Sequence, residues 1–201
     1  MRLAFLDLEA SGNVEDSYPV EVGVAIPTWT GAGWTVTVTS WLIRPMEAWS
    51  VRADLWSPVA EAMHGLAPEY LRAAGTPAAD VAAELDSMLA GHMVISDTGR
   101  HGWDAAWLSV LGVAVGDPQW PRRWRLARET AGELITGLAQ RSRISSEVLS
   151  SVLARAPRHT HAAGEDALRE AWLWCSVHAL GTPPTISPES RYRRRCSNVS
   201  P

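Results

Sequence analysis

Two carboxylates stand two residues apart in the first apolar segment of the chain, Leu3-Ala4-Phe5-Leu6-Asp7-Leu8-Glu9. Because strand side chains alternate between two faces, Asp7 and Glu9 share one face of a buried strand. Like charges in such a place repel each other and lose hydration, and a divalent cation relieves both problems. Carboxylate oxygens suit hard ions such as Mg²⁺ or Mn²⁺. The chain has 22 acidic residues, so chance pairs are expected and this pair is weak evidence by itself.

A third acid follows a second candidate strand. The segment Val94-Ile95-Ser96-Asp97-Thr98-Gly99 predicts a short strand through about Ile95 and a turn, after which a helix begins near Gly102 or Trp103. Asp104 then lies in the first turn of that helix. An acid in this position also stabilises the helix through its interaction with the helix dipole. Asp104 alone is therefore not evidence of a catalytic site.

The last group opens the final long helix. Asp166 stands five positions after His161, and the apolar pattern that follows runs to Leu180 and ends at Gly181. A histidine just outside a helix and an acid in its first turn can converge on one point. Taken alone, the group is explained more simply by a surface histidine and an acid that the helix dipole favours.

Together the three groups resemble the motif set of the DEDD 3′–5′ exonucleases, in the subgroup whose fifth residue is histidine. The family's first motif is Asp-x-Glu followed by a small residue and Gly, and it reads Asp7-Leu8-Glu9-Ala10-Ser11-Gly12 here. The third motif, His-x₄-Asp, reads His161 to Asp166, and Ala162 excludes the tyrosine subgroup. The family includes proofreading exonucleases of bacterial DNA polymerases and several RNA-trimming exonucleases.

The segments between these motifs agree with the resemblance, which covers about Met1 to Leu180. Residues 17–25 look like the family's second strand, and residues 62–69 look like its His-Gly-Leu segment before the middle helix. The chain departs from the family at Arg100-His101-Gly102-Trp103, where many relatives have His-Asn and then Phe. It also has Ala10 where a hydroxyl residue is common. These departures concern substrate preference more than the chemistry.

The resemblance implies an exonuclease that hydrolyses the terminal phosphodiester of single-stranded DNA or RNA by a two-metal mechanism and releases nucleoside 5′-monophosphates. The ligands of its two Mg²⁺ or Mn²⁺ ions would be Asp7, Glu9, Asp104 and Asp166. His161 would be the general base, a task that its ordinary pKa of about 6.5 suits. His159 is an alternative base with the wrong spacing for the motif. The expected substrate contacts are Ser11, Gly12, His64 and Trp103.

The expected partners are the 3′ ends of single-stranded DNA or RNA. The resemblance also allows a polymerase or another protein in trans, and a homodimer. A different class of function stays open: a catalytically inactive module that binds a nucleic-acid end or a polymerase partner. The presence of all five motif residues argues against that module. In a third alternative the acids of an ordinary α/β domain are coincidental, which requires the whole ordered set to arise by chance.

Composition points to a globular protein without a membrane span. The chain has 201 residues, 46% of them hydrophobic and 20% charged, which fits one domain with a core of its own. No apolar run approaches the roughly 18–20 residues of a spanning helix. Asp7 and Glu9 interrupt the N-terminal apolar stretch, so it is not a signal peptide. Two cysteines, Cys175 and Cys196, do not indicate a disulfide framework. We therefore expect a cytoplasmic protein.

The charge pattern is less informative. A net charge of −4 is not the footprint of a nonspecific nucleic-acid binder, although acids that bind metal account for part of it. All 18 basic residues are arginine, which grips phosphate well. Two clusters are candidates for phosphate contact, and a compositional bias toward arginine explains them equally well. They comprise Arg122, Arg123, Arg125 and Arg128, and Arg191, Arg193, Arg194 and Arg195.

The element pattern predicts an α/β protein with a ribonuclease-H-like mixed β-sheet, whose first three strands are antiparallel, flanked by helices. Strands are expected at 2–8, 20–27, 34–44 and 92–96. Helices are expected at 77–90, 103–111, within 127–140, at 145–155 and at 165–180, with Thr76 as the cap of the first and Pro77 at its N1 position. The exonuclease domain spans 1–181. Residues 182–201, rich in Pro, Ser and Arg, are predicted to be a flexible tail.

Overall fold

A seven-stranded mixed sheet forms the centre of the fold. The computed structural model describes residues 2–117 and 125–193. Its strands are β1 (Arg2–Ala10), β2 (Pro19–Trp29), β3 (Trp34–Arg44), β4 (Thr76–Pro77), β5 (His92–Ser96), β6 (Arg125–Leu126) and β7 (Thr185–Ile186). The order is β4-β3-β2-β1-β5-β6, and β7 also pairs with β3. Strands β1, β2 and β3 are antiparallel, whereas β5 is parallel to β1. The predicted mixed sheet is therefore confirmed.

Helices cover both faces of this sheet. They are α1 (Glu47–Ser50), α2 (Pro58–His64), α3 (Pro68–Ala74), α4 (Ala78–Leu89), α5 (Trp103–Ala114), α6 (Ala131–Arg141), α7 (Ser146–Arg155) and α8 (Ala163–His178). Helices α4 and α5 pack on one face, and α8 with α6 packs on the other. Sequence analysis missed α1, α2 and α3, because helices of four to seven residues are too short for a clear apolar period.

Strand β1 is buried on both faces. Its even-numbered residues, such as Leu6, pack in the apolar cluster of α4 and α5. Its odd-numbered residues before the acids, such as Phe5, pack in the cluster of α8. Because Asp7 and Glu9 continue the odd-numbered series, their side chains point to the α8 side of the sheet.

The start of α4 differs from the prediction. Thr76 does not cap the helix and Pro77 is not its first residue. Both residues instead pair with Ile43 and Arg44 as the short strand β4, and α4 begins at Ala78. The backbone of this segment continues the sheet beside β3 before it turns into the helix.

The C-terminal segment also differs from the prediction, because the first part of the expected tail lies on the edge of the sheet. Thr185–Ile186 pairs with β3 as β7. Further along, Ser187 N donates to Val36 O at 2.8 Å and Arg191 N donates to Val38 O at 2.7 Å. An edge strand offers unpaired backbone groups, so a segment poor in apolar residues can still bind there. Residues 194–201 lie outside the described residues, and the domain boundary at residue 181 stays a prediction.

Two further sequence expectations concern single features. Within residues 2–117 and 125–193, no helix combines the length and apolar character needed to cross a membrane. Cys175 is buried in α8, and this burial raises the pKa of its thiol to about 12, which agrees with an inert core residue. Cys196 lies outside the described residues.

Candidate active site

Three carboxylates from distant parts of the sequence meet beside β1. Asp7, Glu9 and Asp166 each offer an oxygen, and these three atoms lie within 4.8 Å of one another. The first two come from the C-terminal half of β1 and the third from the first turn of α8. Asp166 is only 3% exposed. The structure thus brings together three of the four predicted metal ligands.

A close backbone approach between β2 and α8 produces this meeting. Gly23 lies opposite Asp7 in the pairing of β1 with β2. A Cβ atom at Gly23 would overlap the backbone of Ala163 and Gly164 in the first turn of α8. Only a residue without a side chain lets α8 begin this close to the sheet, and this is what carries Asp166 to the acids of β1.

Asp104 approaches the group from α5. It is buried in the first turn of that helix, and Thr98 Oγ1 donates a hydrogen bond of 2.7 Å to its Oδ2. Its charge acts on Asp7 more strongly than that of any other ionisable group, although it is not part of the 4.8 Å group. This placement suits a ligand that binds a metal through water.

The three acids face Asp104 and one another at a high electrostatic cost. Burial raises the pKa of Asp7 well above its ordinary range, and the charges of Asp104, Glu9 and Asp166 raise it further. Burial, followed by the charges of Asp166 and Glu21, raises the pKa of Glu9 to about 8. Without a cation, the site therefore holds protons at neutral pH where free carboxyl groups would be ionised.

The donor set fits one or two hard divalent cations. Asp166 Oδ1 accepts a hydrogen bond of 2.8 Å from the backbone N of Thr160. Its Oδ2 is buried without a hydrogen-bond partner in the part of the chain that the structure describes, so one ligand oxygen stays available. Clustered carboxylate oxygens are the ligands that Mg²⁺ and Mn²⁺ prefer.

The electrostatic cost predicts how the metal-free protein responds to pH. Since Glu9 has a pKa of about 8 when folded and about 4.3 when unfolded, the folded state binds more protons throughout this window. The free energy of unfolding should therefore fall as pH rises from about 5 to 8, by about 2–4 kcal/mol. In Glu9→Gln this contribution should vanish, so the variant should exceed the wild type in stability at pH 8. Urea unfolding in EDTA at several pH values measures both curves, and parallel curves would contradict the prediction.

Two histidines stand in the turn before α8. The backbone of His161 is left-handed, with φ of 54°, and its imidazole ring packs edge to face on that of His159 with ring centroids 4.6 Å apart. His159 Nε2 lies 3.6 Å from Oδ2 of Asp166. The structure therefore brings both predicted bases to the same turn, and the sequence spacing that ranked His159 lower did not anticipate its approach to Asp166.

A buried ion pair that was not predicted from the sequence lies beside the acids. Glu21 lies opposite Glu9 in the strand register, its side chain is fully buried, and its Oε2 lies 2.6 Å from Arg193 Nη2. Glu21 stands inside the apolar strand Val20-Glu21-Val22-Gly23-Val24. Since a charged residue is rarely buried unless it is paired, this position could have predicted a buried ion pair. Nothing in the sequence pointed to Arg193 as its partner.

Of the four residues predicted to contact substrate, three are buried and one is exposed. Ser11 is buried, and its Oγ accepts a hydrogen bond from Tyr18 N at 3.1 Å, while a Cβ atom at Gly12 would lie 3.1 Å from Ser17 Oγ and 3.2 Å from Leu55 O. His64 is 1% exposed and its Nδ1 accepts a hydrogen bond from Leu66 N at 3.0 Å. The structure thus gives Ser11, Gly12 and His64 roles in holding loops together, and their contact with substrate stays a prediction.

Trp103 lies on the surface beside Asp104. Its side chain is 43% exposed and is stacked on that of Trp107, with ring centroids 5.9 Å apart. Trp107 is buried, and its Nε1 donates to Val14 O at 3.2 Å, so it fixes the ring on which Trp103 rests. An exposed, rigidly supported indole suits stacking with a nucleobase.

Few of the predicted phosphate contacts can be placed. Outside the described residues lie Arg122, Arg123, Arg194 and Arg195, together with the side chain of Arg125. Arg128 and Arg191 are exposed. The guanidinium of Arg193 is turned inward onto Glu21, which removes it from the set of arginines that could meet phosphate.

The sheet order and the flanking helices define a mixed α/β fold of the ribonuclease-H-like class, and solved structures share it. One neighbour is a zinc-bound complex of E. coli exonuclease I with single-stranded DNA, with a TM-score of 0.62 and 17% identity over 89% of this chain and 40% of that chain. Another is E. coli exonuclease I with a dA16 oligonucleotide, with a TM-score of 0.63 and 16% identity over 87% of this chain and 40% of that chain. A third is SSB/exonuclease I with the inhibitor CFAM, with a TM-score of 0.53 and 18% identity over 69% of this chain and 30% of that chain.

These likenesses establish the fold. The chain spans about 40% of the length of the first two neighbours. No family model and no curated protein matches the chain.

Proposed function

We propose that the chain is a metal-dependent 3′–5′ exonuclease that hydrolyses the terminal phosphodiester of single-stranded nucleic acid and releases nucleoside 5′-monophosphates. The observation that carries the proposal is the convergence of Asp7, Glu9 and Asp166 within 4.8 Å. His159 Nε2 lies 3.6 Å from Asp166 Oδ2 in this group, the ring of His161 packs on that of His159, and the charge of Asp104 acts on Asp7. The neighbours that share the fold are exonucleases whose structures hold single-stranded DNA, which supports the substrate class.

Each carboxylate has a role in this proposal. Asp7, Glu9 and Asp166 would hold two Mg²⁺ or Mn²⁺ ions, with Asp104 as a ligand through water. Such ions lower the pKa of a bound water and neutralise the charge of the attacked phosphate. Asp7 interacts with all the others: besides burial, the charges of Asp104, Glu9 and Asp166 raise its pKa.

His161 would take the proton from the attacking water. His161 stands just before α8, whose first turn holds Asp166, so the proposed base and one proposed metal ligand are close along the chain. His159 competes for this role because its Nε2 lies 3.6 Å from Asp166 Oδ2. Since His159 is in contact with a metal ligand, we assign it to the support of Asp166 and retain His161 as the base.

The substrate and partners follow from the surface beside the acids. Trp103 would stack on a base near the 3′ end, while the buried residues Ser11, Gly12 and His64 would shape the loops around it. We propose single-stranded DNA or RNA as substrate. A protein that acts in trans, such as a polymerase or a single-strand-binding protein, and a second copy of the chain are further proposed partners.

A gel assay on 5′-labelled single-stranded DNA and RNA tests the proposal. The protein should shorten one or both polymers from the 3′ end in Mg²⁺ or Mn²⁺ and leave them intact in EDTA. Comparison of the shortened DNA products with the shortened RNA products shows which of the two sugars the enzyme prefers. Absence of cleavage with either metal, on polymers and on dinucleotides, would overturn the proposal and favour an inactive module that binds nucleic-acid ends.

Replacing Trp103 should weaken substrate binding. Since stacking on an aromatic ring contributes about 1–3 kcal/mol per base, Trp103→Ala should raise the Kd for a single-stranded oligonucleotide by roughly tenfold, whereas Trp103→Phe should retain most of the affinity. Fluorescence anisotropy in EDTA measures binding without cleavage. Trp29→Ala is the matched control, because Trp29 is also exposed but lies at the far end of β2 from Glu21. Equal effects of the two alanine variants would contradict the assignment.

A further inference from the structure

The C-terminal segment reaches the turn that carries His161. Its last described residue, Arg193, donates through Nη2 to the backbone carbonyl of His161 at 3.3 Å. The same guanidinium contacts Glu21 Oε2 through Nη2 at 2.6 Å and through Nε at 3.1 Å. One side chain therefore joins the edge of the sheet, strand β2 and the turn before α8.

The backbone of Arg193 is also held in place. Its N–H donates to Ser40 Oγ at 3.0 Å, and Ser40 N donates to Arg191 O at 2.8 Å. Ser40 Oγ in turn donates to Glu21 Oε1 at 3.3 Å. Because both ends of the contact are anchored on neighbouring strands, the guanidinium has a defined position relative to the turn.

The turn needs such an anchor. His161 adopts φ of 54°, a left-handed conformation that is uncommon for residues other than glycine and persists when surrounding contacts impose it. Glu21 Oε2 also accepts from Ala163 N at 3.3 Å, two residues further along. Arg193 and Glu21 therefore hold the turn from its carbonyl side and its amide side.

We propose that Arg193 is a positioning residue that fixes the His161 turn, and through it the imidazole that acts as general base in the proposed exonuclease. This inference rests on the proposed function for its catalytic consequence. The placement of the turn itself does not, since it follows from contacts within the protein. The guanidinium of Arg193 pairs with the fully buried carboxylate of Glu21. We therefore assign Arg193 a structural contact and not a contact with substrate phosphate.

Nuclear magnetic resonance of the metal-free protein tests the placement without any activity. The wild type should show a nuclear Overhauser effect between the imidazole rings of His159 and His161, whose centroids are 4.6 Å apart. Arg193→Met keeps the aliphatic stem and removes the donors, and it should lose this signal. Arg191→Met is the matched control, because Arg191 is exposed and holds the edge through its backbone. A signal that persists in Arg193→Met overturns the proposal.

Steady-state kinetics of hydrolysis test the catalytic consequence of the position that Arg193 gives to the turn. Misplacing a catalytic group by about 1 Å lowers the rate by roughly 100-fold, so Arg193→Met should lower kcat by roughly 10- to 100-fold with little change in KM. In a His161→Ala background the same change should have little further effect, because Arg193 then has no base to position. Independent, multiplicative losses in the double variant would overturn the proposal.

Two outcomes separate this inference from the proposed function. If the wild type hydrolyses no substrate, the exonuclease assignment fails, while the resonance experiment still decides the role of Arg193. If Arg193→Met does not fold, Arg193→Lys replaces it. Lysine can pair with Glu21 but lacks the planar fork that also reaches a second acceptor, so it should fold and still lose the His159–His161 signal; a retained signal overturns the proposal.

Discussion

Asp7→Asn should reduce hydrolysis by at least about 1,000-fold while leaving the fold intact. Asparagine keeps the size of the side chain and removes one of the three carboxylates whose oxygens lie within 4.8 Å of one another. Metal ions contribute several kcal/mol of transition-state stabilisation, and about 4 kcal/mol corresponds to a factor of roughly 1,000 in rate. The rate should be measured under single-turnover conditions in saturating Mn²⁺, with calorimetric titration of Mn²⁺ beside it.

The control for Asp7→Asn is the same exchange at an exposed acid. Asp80 lies in the first turn of α4, on the opposite face of the sheet from α8, and Asp80→Asn should keep wild-type turnover. Metal-free Asp7→Asn should also resist urea at least as well as the wild type, because asparagine removes the buried ionisable group whose burial, together with repulsion by neighbouring acids, raises the pKa of Asp7. Near-normal turnover in Asp7→Asn would exclude the carboxylate group as the catalytic site.

Gly23→Ala should have the largest effect on stability. The added methyl group would overlap the backbone of Ala163 and Gly164, which no rotamer change can relieve. Overpacking of a core typically costs about 1–3 kcal/mol, and a clash with backbone should reach or exceed the upper end. Because α8 must move away from β2, Asp166 moves away from Asp7 as well, and Mn²⁺ affinity should fall together with the free energy of unfolding.

Urea unfolding and Mn²⁺ titration measure both effects of Gly23→Ala. Gly33→Ala is the matched control, since a Cβ at Gly33 meets no atom within 4 Å in the described structure. That variant should unfold at the wild-type urea concentration and bind Mn²⁺ normally. If Gly23→Ala behaves like Gly33→Ala, the close approach of β2 and α8 does not position the site.

Local sequence patterns were sufficient to predict the mixed sheet and the elements on which the acids lie. The alternating, β-branched run of residues 35–39 predicted β3, and three consecutive strands predicted an antiparallel arrangement that the structure confirms. The spacing of Asp7 and Glu9 on β1 placed both acids on one face, and the position of Asp166 in a first helical turn placed it at a helix end. These are properties of single segments, so they can be read without knowing what each segment packs against.

The contacts that assemble the site join residues far apart in the sequence, so local patterns could not predict them. Nothing local distinguishes Gly23 from a glycine that merely weakens a strand, because its significance lies in Ala163, 140 positions away. Glu21 and Arg193 are separated by 172 positions. The burial of His64 likewise had no signal in its motif, and its contact with substrate stays a prediction. Such features depend on tertiary packing, which sequence periodicity does not report.

The pairing of Glu21 with Arg193 has a consequence for the order of folding. During synthesis, β1, β2 and β3 leave the ribosome long before residue 193. Glu21 then has no counter-charge, and the edge of β3 is exposed for pairing with other chains. The C-terminal segment covers that edge through β7 and also supplies Arg193 as the partner of the buried Glu21 carboxylate. The edge of the sheet and the turn that carries His161 therefore both depend on residues that leave the ribosome last among those described.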